Sequence, residues 1–365
     1  MSVTPEDLRA AVAAGILTEA QAANLISISQ DRSGQRDLMS GEDEPFEFFR
    51  GFSEIFIAVG LTILLSGILA LLSLVGLASS GFIIVPLLMA GVVWWMAYYF
   101  TLRRRMILPS MILAISFGIA ATSFVVGIMA QQNWPNPKNI MIYSSLAGTV
   151  AMGIWYWKFR LPVTMFFVGL GLLATFYAMT LTLEDAFQIA NGRFEGSVFD
   201  LGSSSGFAIA TLVFGIGAFL AGMWFDTRDP HRLGRRAATG FWLHLLAAPA
   251  LVNTIALTLY NMGGTVGMIS VALALTGITI LALIIDRRSF LTAGIIYIAL
   301  LISWVIQGDG DGSFGQWVAI LLILGTFITA LGTWWVGLRS VLMRLLPDFP
   351  GKSRLPPYSK SIEVP

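Results

Sequence analysis

Long uncharged apolar runs alternate with short polar segments along the chain, and the runs recur ten times. They cover residues 54–77, 82–101, 107–130, 140–157, 161–182, 205–225, 237–260, 268–285, 290–307 and 315–338. Each is close to the ~20 residues that an α-helix needs to cross ~30 Å of hydrocarbon. In hydrocarbon the backbone N–H and C=O groups have to bond within their own segment, so each run is predicted to be a membrane helix. The shortest runs, 140–157, 268–285 and 290–307, have 18 residues each. Whether these cross fully, tilt or re-enter stays open at that length. The predicted fold class is all-α: a polytopic integral membrane protein of about ten transmembrane helices within residues 45–338.

The segments flanking the runs follow a different pattern. Residues 1–29 read as a small helical hairpin. Thr4-Pro5-Glu6-Asp7 supplies an N-cap, a proline at the first helical position and acids at the positive helix end. Thr18-Glu19-Ala20-Gln21 starts a second helix in capping-box form. Residues 30–44 lack apolar periodicity and read as a linker, and Pro45 to Ser53 suits an interfacial turn leading into the first run. No cleavable signal peptide is expected, because the opening is polar and the first apolar run is long enough to span. Residues 339–365 are predicted to form a tail, with Arg339 to Leu346 as an amphipathic turn and an extended, proline-bearing end.

Composition agrees with the pattern: only 12% of residues are charged and mean hydropathy is +0.78, against ~25% charged in soluble domains. The formal charge of +1 supplies no field for nucleic acid, and with no cysteine there is no disulfide, thiol nucleophile or thiolate metal site. Charge placement carries more information. With ten spans and both termini inside, 20 of the 22 lysines and arginines fall on the inner side, and only Lys138 and Arg193 fall outside. This is the asymmetry of the positive-inside rule, and adding or removing one span scrambles it. Both termini are therefore expected to be cytoplasmic. The outer loops are short and acidic or glycine-rich, with one longer stretch, 183–204. Trp94, Trp95, Trp157, Trp224 and Trp335 fall near inner span ends, and Trp134 and Trp317 near outer ends, which reads as an aromatic belt. An internal echo is also present: Pro109, Gly118 and Ala121-Thr122 repeat as Pro162, Gly171 and Ala174-Thr175 at identical spacing. Either a duplicated two-helix unit or coincidence in Gly/Ala-rich sequence accounts for it.

The candidate chemistry gathers between Asp226 and Asn253, where both histidines of the chain lie. His244 is the ionisable side chain well inside a run, eight residues or about 12 Å from Arg236 along a helix. Such a residue is a functional candidate by default; its commoner role is a neutral interhelical hydrogen bond. Asn253 lies nine residues on, half a turn out of phase with His244 and on the side of Trp242, while Pro249 between them frees a carbonyl and can kink the helix. His244, Asn253, Trp242 and Pro249 form the candidate intramembrane polar site. In the preceding loop, Asp226, Arg228, Asp229 and Arg232 are expected to pair among themselves as a solvated network.

Other motifs are weaker. Gly202 to Gly206 fits G-x-S-x-G, but Ser204 belongs to the outer end of its span and His244 to the inner half of the next. A ~3 Å hydrogen bond cannot join them. Gly308 to Ser313 resembles the opening of a calcium loop, yet Phe314 and Ile320 occupy the positions where glycine and glutamate are needed. Two histidines on different levels, His231 in the loop and His244 in the run, make a zinc site unexpected. No cofactor, metal or catalytic constellation is expected, and the chain is not predicted to be an enzyme. Glu54 sits at the mouth of the first run, one turn after Arg50, where pairing and interfacial solvation hold it ionised. The lack of Asp or Glu in mid-span tells against a proton pump built on a buried carboxylate.

The hairpin run Ala14-Gly15-Ile16-Leu17-Thr18-Glu19-Ala20-Gln21-Ala22, the acidic linker and the FWLHLLAAP run together resemble bacterial membrane proteins classed as domains of unknown function. The resemblance implies an inner-membrane location in a bacterium and no particular activity. Two functions are expected from the residues. One is a transporter- or channel-like protein with a small-molecule or lipid site among spans six to eight. The other is a membrane scaffold or sensor that recruits a cytoplasmic partner through its hairpin. The lipid bilayer is a partner in either.

Overall fold

Apolar runs of this length have one way to satisfy their backbones, and all ten are helical in the computed structural model. It describes residues 52–75, 81–131, 136–193, 196–203, 206–230, 232, 235–307, 314–356 and 358. The predicted hairpin and linker, the lead-in up to residue 51, Trp134, Ser204, His231, the 308–313 turn and the end of the tail lie outside these residues. The helices are α1 (Phe52–Val75), α2 (Gly81–Ala97, prolonged by a π-helical stretch Tyr98–Arg103), α3 (Ile107–Ala130), α4 (Pro137–Phe159) and α5 (Thr164–Thr180). After the short α6 (Leu183–Ala190) come α7 (Gly206–Asp226), α8 (Arg235–Tyr260), α9 (Gly264–Ile285), α10 (Ser289–Gln307) and α11 (Phe314–Leu345). Among the described residues there is no strand. The expected amphipathic turn after residue 338 is a continuation of α11. The longer outer stretch, 183–204, contains α6, started by Thr182 and Asp185: the Asp185 amide donates to Thr182 Oγ1 (3.1 Å) and the Thr182 amide to Asp185 Oδ2 (2.9 Å).

Seven of the described helices are long and apolar enough to cross a membrane: α1, α2 with its π-helical end, α3, α7, α8, α9 and the Leu321–Leu345 part of α11. The shortest predicted run around residue 268 belongs to this set, because α9 begins four residues earlier. The surface supports a membrane setting independently. Phe52, Phe56, Ile63, Leu74, Trp157, Val266, Leu273 and Leu321 are all exposed, an apolar coat far beyond the patches of a soluble monomer.

The core is in two parts. Leu61, Leu65, Met89, Val93, Leu113, Met152, Trp155 and Phe159 pack α1 to α4 together, with Trp94, Phe117, Trp155 and Phe159 as an aromatic cluster whose ring centroids lie 4.5 to 5.7 Å apart. Phe214, Ala247, Val252, Val271, Leu275, Phe290 and Trp335 pack α7 to α11. Helix α5 belongs to both, lying against α4 on one side and α7 and α8 on the other. A small third cluster, Met111, Val163, Phe241 and Trp242, closes the seam between the two bundles at the end that carries the basic loops.

Helix ends are fastened at that basic end. Glu54 is buried, and its Oε2 accepts from the amides of Ile107 (3.1 Å) and Leu108 (3.3 Å). A carboxylate from α1 thus caps α3, a favourable pairing with the positive helix end. The echoed positions also have a structural counterpart. Thr122 and Thr175 each donate to the carbonyl four residues back, Gly118 and Gly171. Gly118 and Thr122 of the first copy and Gly171 and Ala174 of the second line one cavity of about 460 Å³, with Gly148, Met152 and other residues of α4 between them.

Candidate functional site

Helix α7 ends on a charge. Its last residue, Asp226, is buried where Phe225 and the loop would lead one to expect a solvated terminus. The carboxylate turns into the bundle and takes three bonds. His244 Nε2 lies 3.0 Å from Oδ2, Arg287 Nε donates to Oδ2 at 3.0 Å, and Arg287 Nη2 donates to Oδ1 at 2.6 Å. The Arg287–Asp226 pair is the two-pronged arrangement that a planar guanidinium makes with a carboxylate. Arg287 Nη2 also donates to the Ala237 carbonyl at 3.1 Å. Both His244 and Arg287 are fully enclosed at 0% exposure, with Phe219 and Phe290 set edge-on to the imidazole.

Two glycines let α7 and α8 close over this cluster. Each precedes its helix's polar residue by one turn: Gly222 before Asp226, and Gly240 before His244. A Cβ on Gly222 would lie 2.8 Å from His244 Cε1, and one on Gly240 would overlap Asp226 Oδ1. Each glycine therefore houses the polar side chain of the opposite helix, and the pair α7–α8 carries the polar contact only because both are glycine.

Arg287 is delivered by the turn between α9 and α10. Asp286 stands in the left-handed region (φ 58°) at the C-terminus of α9, which ends the helix and sends successive side chains into different neighbours. Arg287 enters the cluster with α7 and α8. Asp286 enters a second one: its Oδ1 accepts from Trp335 Nε1 (2.7 Å) and lies 3.8 Å from Arg339 Nε, and its Oδ2 lies 3.1 Å from Arg232 Nη1. Arg232 also donates to the Asp286 carbonyl, and Arg339 to the carbonyls of Leu283 (3.0 Å) and Pro356 (2.6 Å). Two buried ion clusters, joined by one peptide bond, thus tie α7, α8, α9, α10 and α11 at one level.

The residues singled out from the sequence reach several places. His244 is in the first cluster. Trp242 faces the seam, packed on Phe166 and Phe241. Pro249 lies inside an unbroken α8. Asn253 is half-buried, and its backbone carbonyl accepts from Tyr297 at 3.5 Å. Of the four loop residues, Asp226 bonds to His244 and Arg287, and Arg232 to Asp286. Arg228 lies over the Trp224 ring at 3.7 Å, and Asp229 Oδ2 accepts from the Ala237 amide at 3.3 Å. The expected solvated network is thus replaced, for Asp226 and Arg232, by buried pairs with the α9–α10 turn, because the loop folds back over that turn. Trp335 and Trp94 likewise leave the predicted belt: Trp335 is buried at 1% exposure and Trp94 is packed among aromatic rings, whereas Trp95, Trp157 and Trp224 are exposed.

Arg287, Asp286 and Arg339 are polar anchors that the sequence pattern did not single out, and Glu54, expected to be solvated at the interface, is buried as the cap on α3. A signal existed: α7 ends on an aspartate and α9 is followed by one, each directly after an apolar residue and opposite the sign expected at the predicted inner side. No family model matches this chain, and neither a curated protein nor a solved structure matches it. The fold itself defines an all-helical polytopic membrane protein with a buried charge cluster at one end of its second bundle.

Proposed function

We propose that the chain is a ten-span protein of the bacterial inner membrane, both termini cytoplasmic, which passes a small molecule or lipid along α7 to α9. In this reading it is transporter- or channel-like, does no covalent chemistry, and has Asp226, His244 and Arg287 as its inner gate. One observation carries the reading: three helices meet at one level through buried charges. Replacing such a cluster by apolar side chains is commonly neutral or stabilising by ~1–4 kcal/mol. A passive anchor has no use for it, whereas a helix pair with two arrangements does.

The absence of cysteine gives a clean test. Ala218 lies one turn beyond Gly222, and Ala248 one turn beyond His244, both buried. Single cysteines installed there and probed with a membrane-impermeant maleimide from the cytoplasmic side should label at least ~10-fold faster with Asp226→Asn, a shift worth ~1.4 kcal/mol. Ala114→Cys, buried in the first bundle, should not change. Labelling that stays the same at all three positions, or rises at all three, removes the gate. Lys138→Cys and Lys158→Cys, at opposite ends of α4, should label only from outside and only from inside respectively, which tests the ten-span arrangement where it is least apolar.

The scaffold or sensor reading has one observation in its favour: His244 is fully enclosed by Phe219, Phe290 and Asp226. It expects no change in labelling at Ala218 or Ala248, and a cytoplasmic protein partner lost on deletion of residues 1–30.

A further inference from the structure

A second site lies away from this cluster, at the seam of the two bundles. Three separate parts of the chain meet around a crevice of about 400 Å³: the α2–α3 turn, the α4–α5 turn and the first turns of α8. Each contributes one arginine, Arg105, Arg160 and Arg235, to the lining. None of the three guanidinium groups makes a hydrogen bond or ion pair among the described residues. The nearby carboxylates are already committed, Glu54 to the start of α3 and Asp229 to the start of α8. Arg105 and Arg160 both hold left-handed backbone conformations (φ 51° and 52°), which side-chain-bearing residues rarely adopt.

The rest of the lining is apolar, with Met111, Phe159, Val163 and Trp242 among its side chains. It also includes Thr101, whose buried Oγ1 has no hydrogen-bond partner among the described residues. The positive-inside rule accounts for arginines in each of these loops. It does not account for three of them converging on one concave, unneutralised pocket with an apolar floor at the level where helices begin. The N-terminus of α5, which has no side-chain cap, also points to this level and adds partial positive charge.

We propose that this crevice binds a phosphate group, supplied by an anionic phospholipid of the adjacent leaflet. The phosphate sits among Arg105, Arg160 and Arg235, and the glycerol and first acyl carbons lie against Phe159, Val163 and Trp242. Basic pockets between membrane helices take lipid headgroups in this manner. The site is independent of the gate proposed above, since it shares no residue with it.

The test uses the full-length protein purified in a neutral detergent, with bound phosphatidylglycerol titrated by native mass spectrometry. At ~1 kcal/mol per basic residue near the phosphate, and 1.4 kcal/mol per decade, the triple variant Arg105→Gln/Arg160→Gln/Arg235→Gln should bind about a hundredfold more weakly. Arg103→Gln/Lys158→Gln/Arg236→Gln removes the same charge outside the crevice and should retain wild-type affinity. Phosphatidylglycerol brominated near the glycerol should quench Trp242 fluorescence in the control variant and not in the first. If inorganic phosphate or glycerol 3-phosphate binds with the same dependence on the three arginines while the lipid does not, the phosphate site stands and the lipid source is overturned. Equal losses in both triple variants, or none in the first, overturn the site. All the substituted residues are exposed, and an unchanged gel-filtration profile verifies that each variant is folded.

Discussion

Asp226→Asn is the perturbation that reads the buried cluster most directly. It keeps the shape of the side chain and removes the charge that faces Arg287 and His244. Arg287 has 0% exposure and retains the Ala237 carbonyl as a partner, but its Nη1 is already buried without one. Leaving a buried ion without its counter-charge costs about 3–5 kcal/mol. The single substitution should cost that much, as should Arg287→Met, which leaves the buried carboxylate with His244 as its remaining partner in the cluster. The double substitution Asp226→Asn/Arg287→Met removes both charges, so most of the loss should return, leaving a cost of roughly 1–2 kcal/mol for imperfect packing and one amide. The assay is an unfolding titration in mixed micelles, followed by tryptophan fluorescence, with the four proteins of the cycle measured side by side. The coupling between the two sites should be at least ~2 kcal/mol and of the compensating sign. Additive losses, or a double variant worse than either single one, would refute the reasoning: the carboxylate and guanidinium would then act independently, and the geometry would be incidental to stability.

Two other predictions follow from close approaches and caps. Gly240→Ala places a methyl group against Asp226 and should cost ~1–3 kcal/mol as an overpacked contact, whereas Gly217→Ala in α7 meets nothing within 4 Å and should be neutral or slightly stabilising, since alanine is favoured over glycine within a helix by ~1 kcal/mol; the same micelle titration compares them. Glu54→Gln weakens the cap on α3 and should cost ~0.5–2 kcal/mol, read as faster hydrogen exchange at the Ile107 and Leu108 amides, with α7 and α8 unaffected.

The helices were legible in the sequence, because an uncharged run of spanning length admits no other backbone arrangement. So was the need of His244 for an interhelical polar partner, since an imidazole in such a run has to be accounted for. Its partners were not legible. Helical phase says which face of α8 carries His244, but it says nothing about which helix lies opposite. Arg287 is 43 residues further along the chain and belongs to a loop whose basic residues the predicted topology would already explain, so no local pattern marks it as a core residue. Trp335 is hidden by the same logic. A tryptophan near a span end reads as an interfacial anchor until a buried acceptor, here Asp286, is brought to it from another helix. Glu54 was visible as an acid at a helix mouth, and only the packing of α1 on α3 turned it into a cap.

The left-handed turn at Asp286 has a mechanical consequence. The α9–α10 hairpin is held by two neighbouring pins of opposite charge, one seated among α7 and α8 and the other against α11 and the loop at Arg232. Because a single peptide bond separates the pins, the hairpin cannot be turned about its own axis without withdrawing both together. It can swing on one only after the other has let go. Any displacement of α11 would therefore load the same turn that carries Arg287 to α7 and α8.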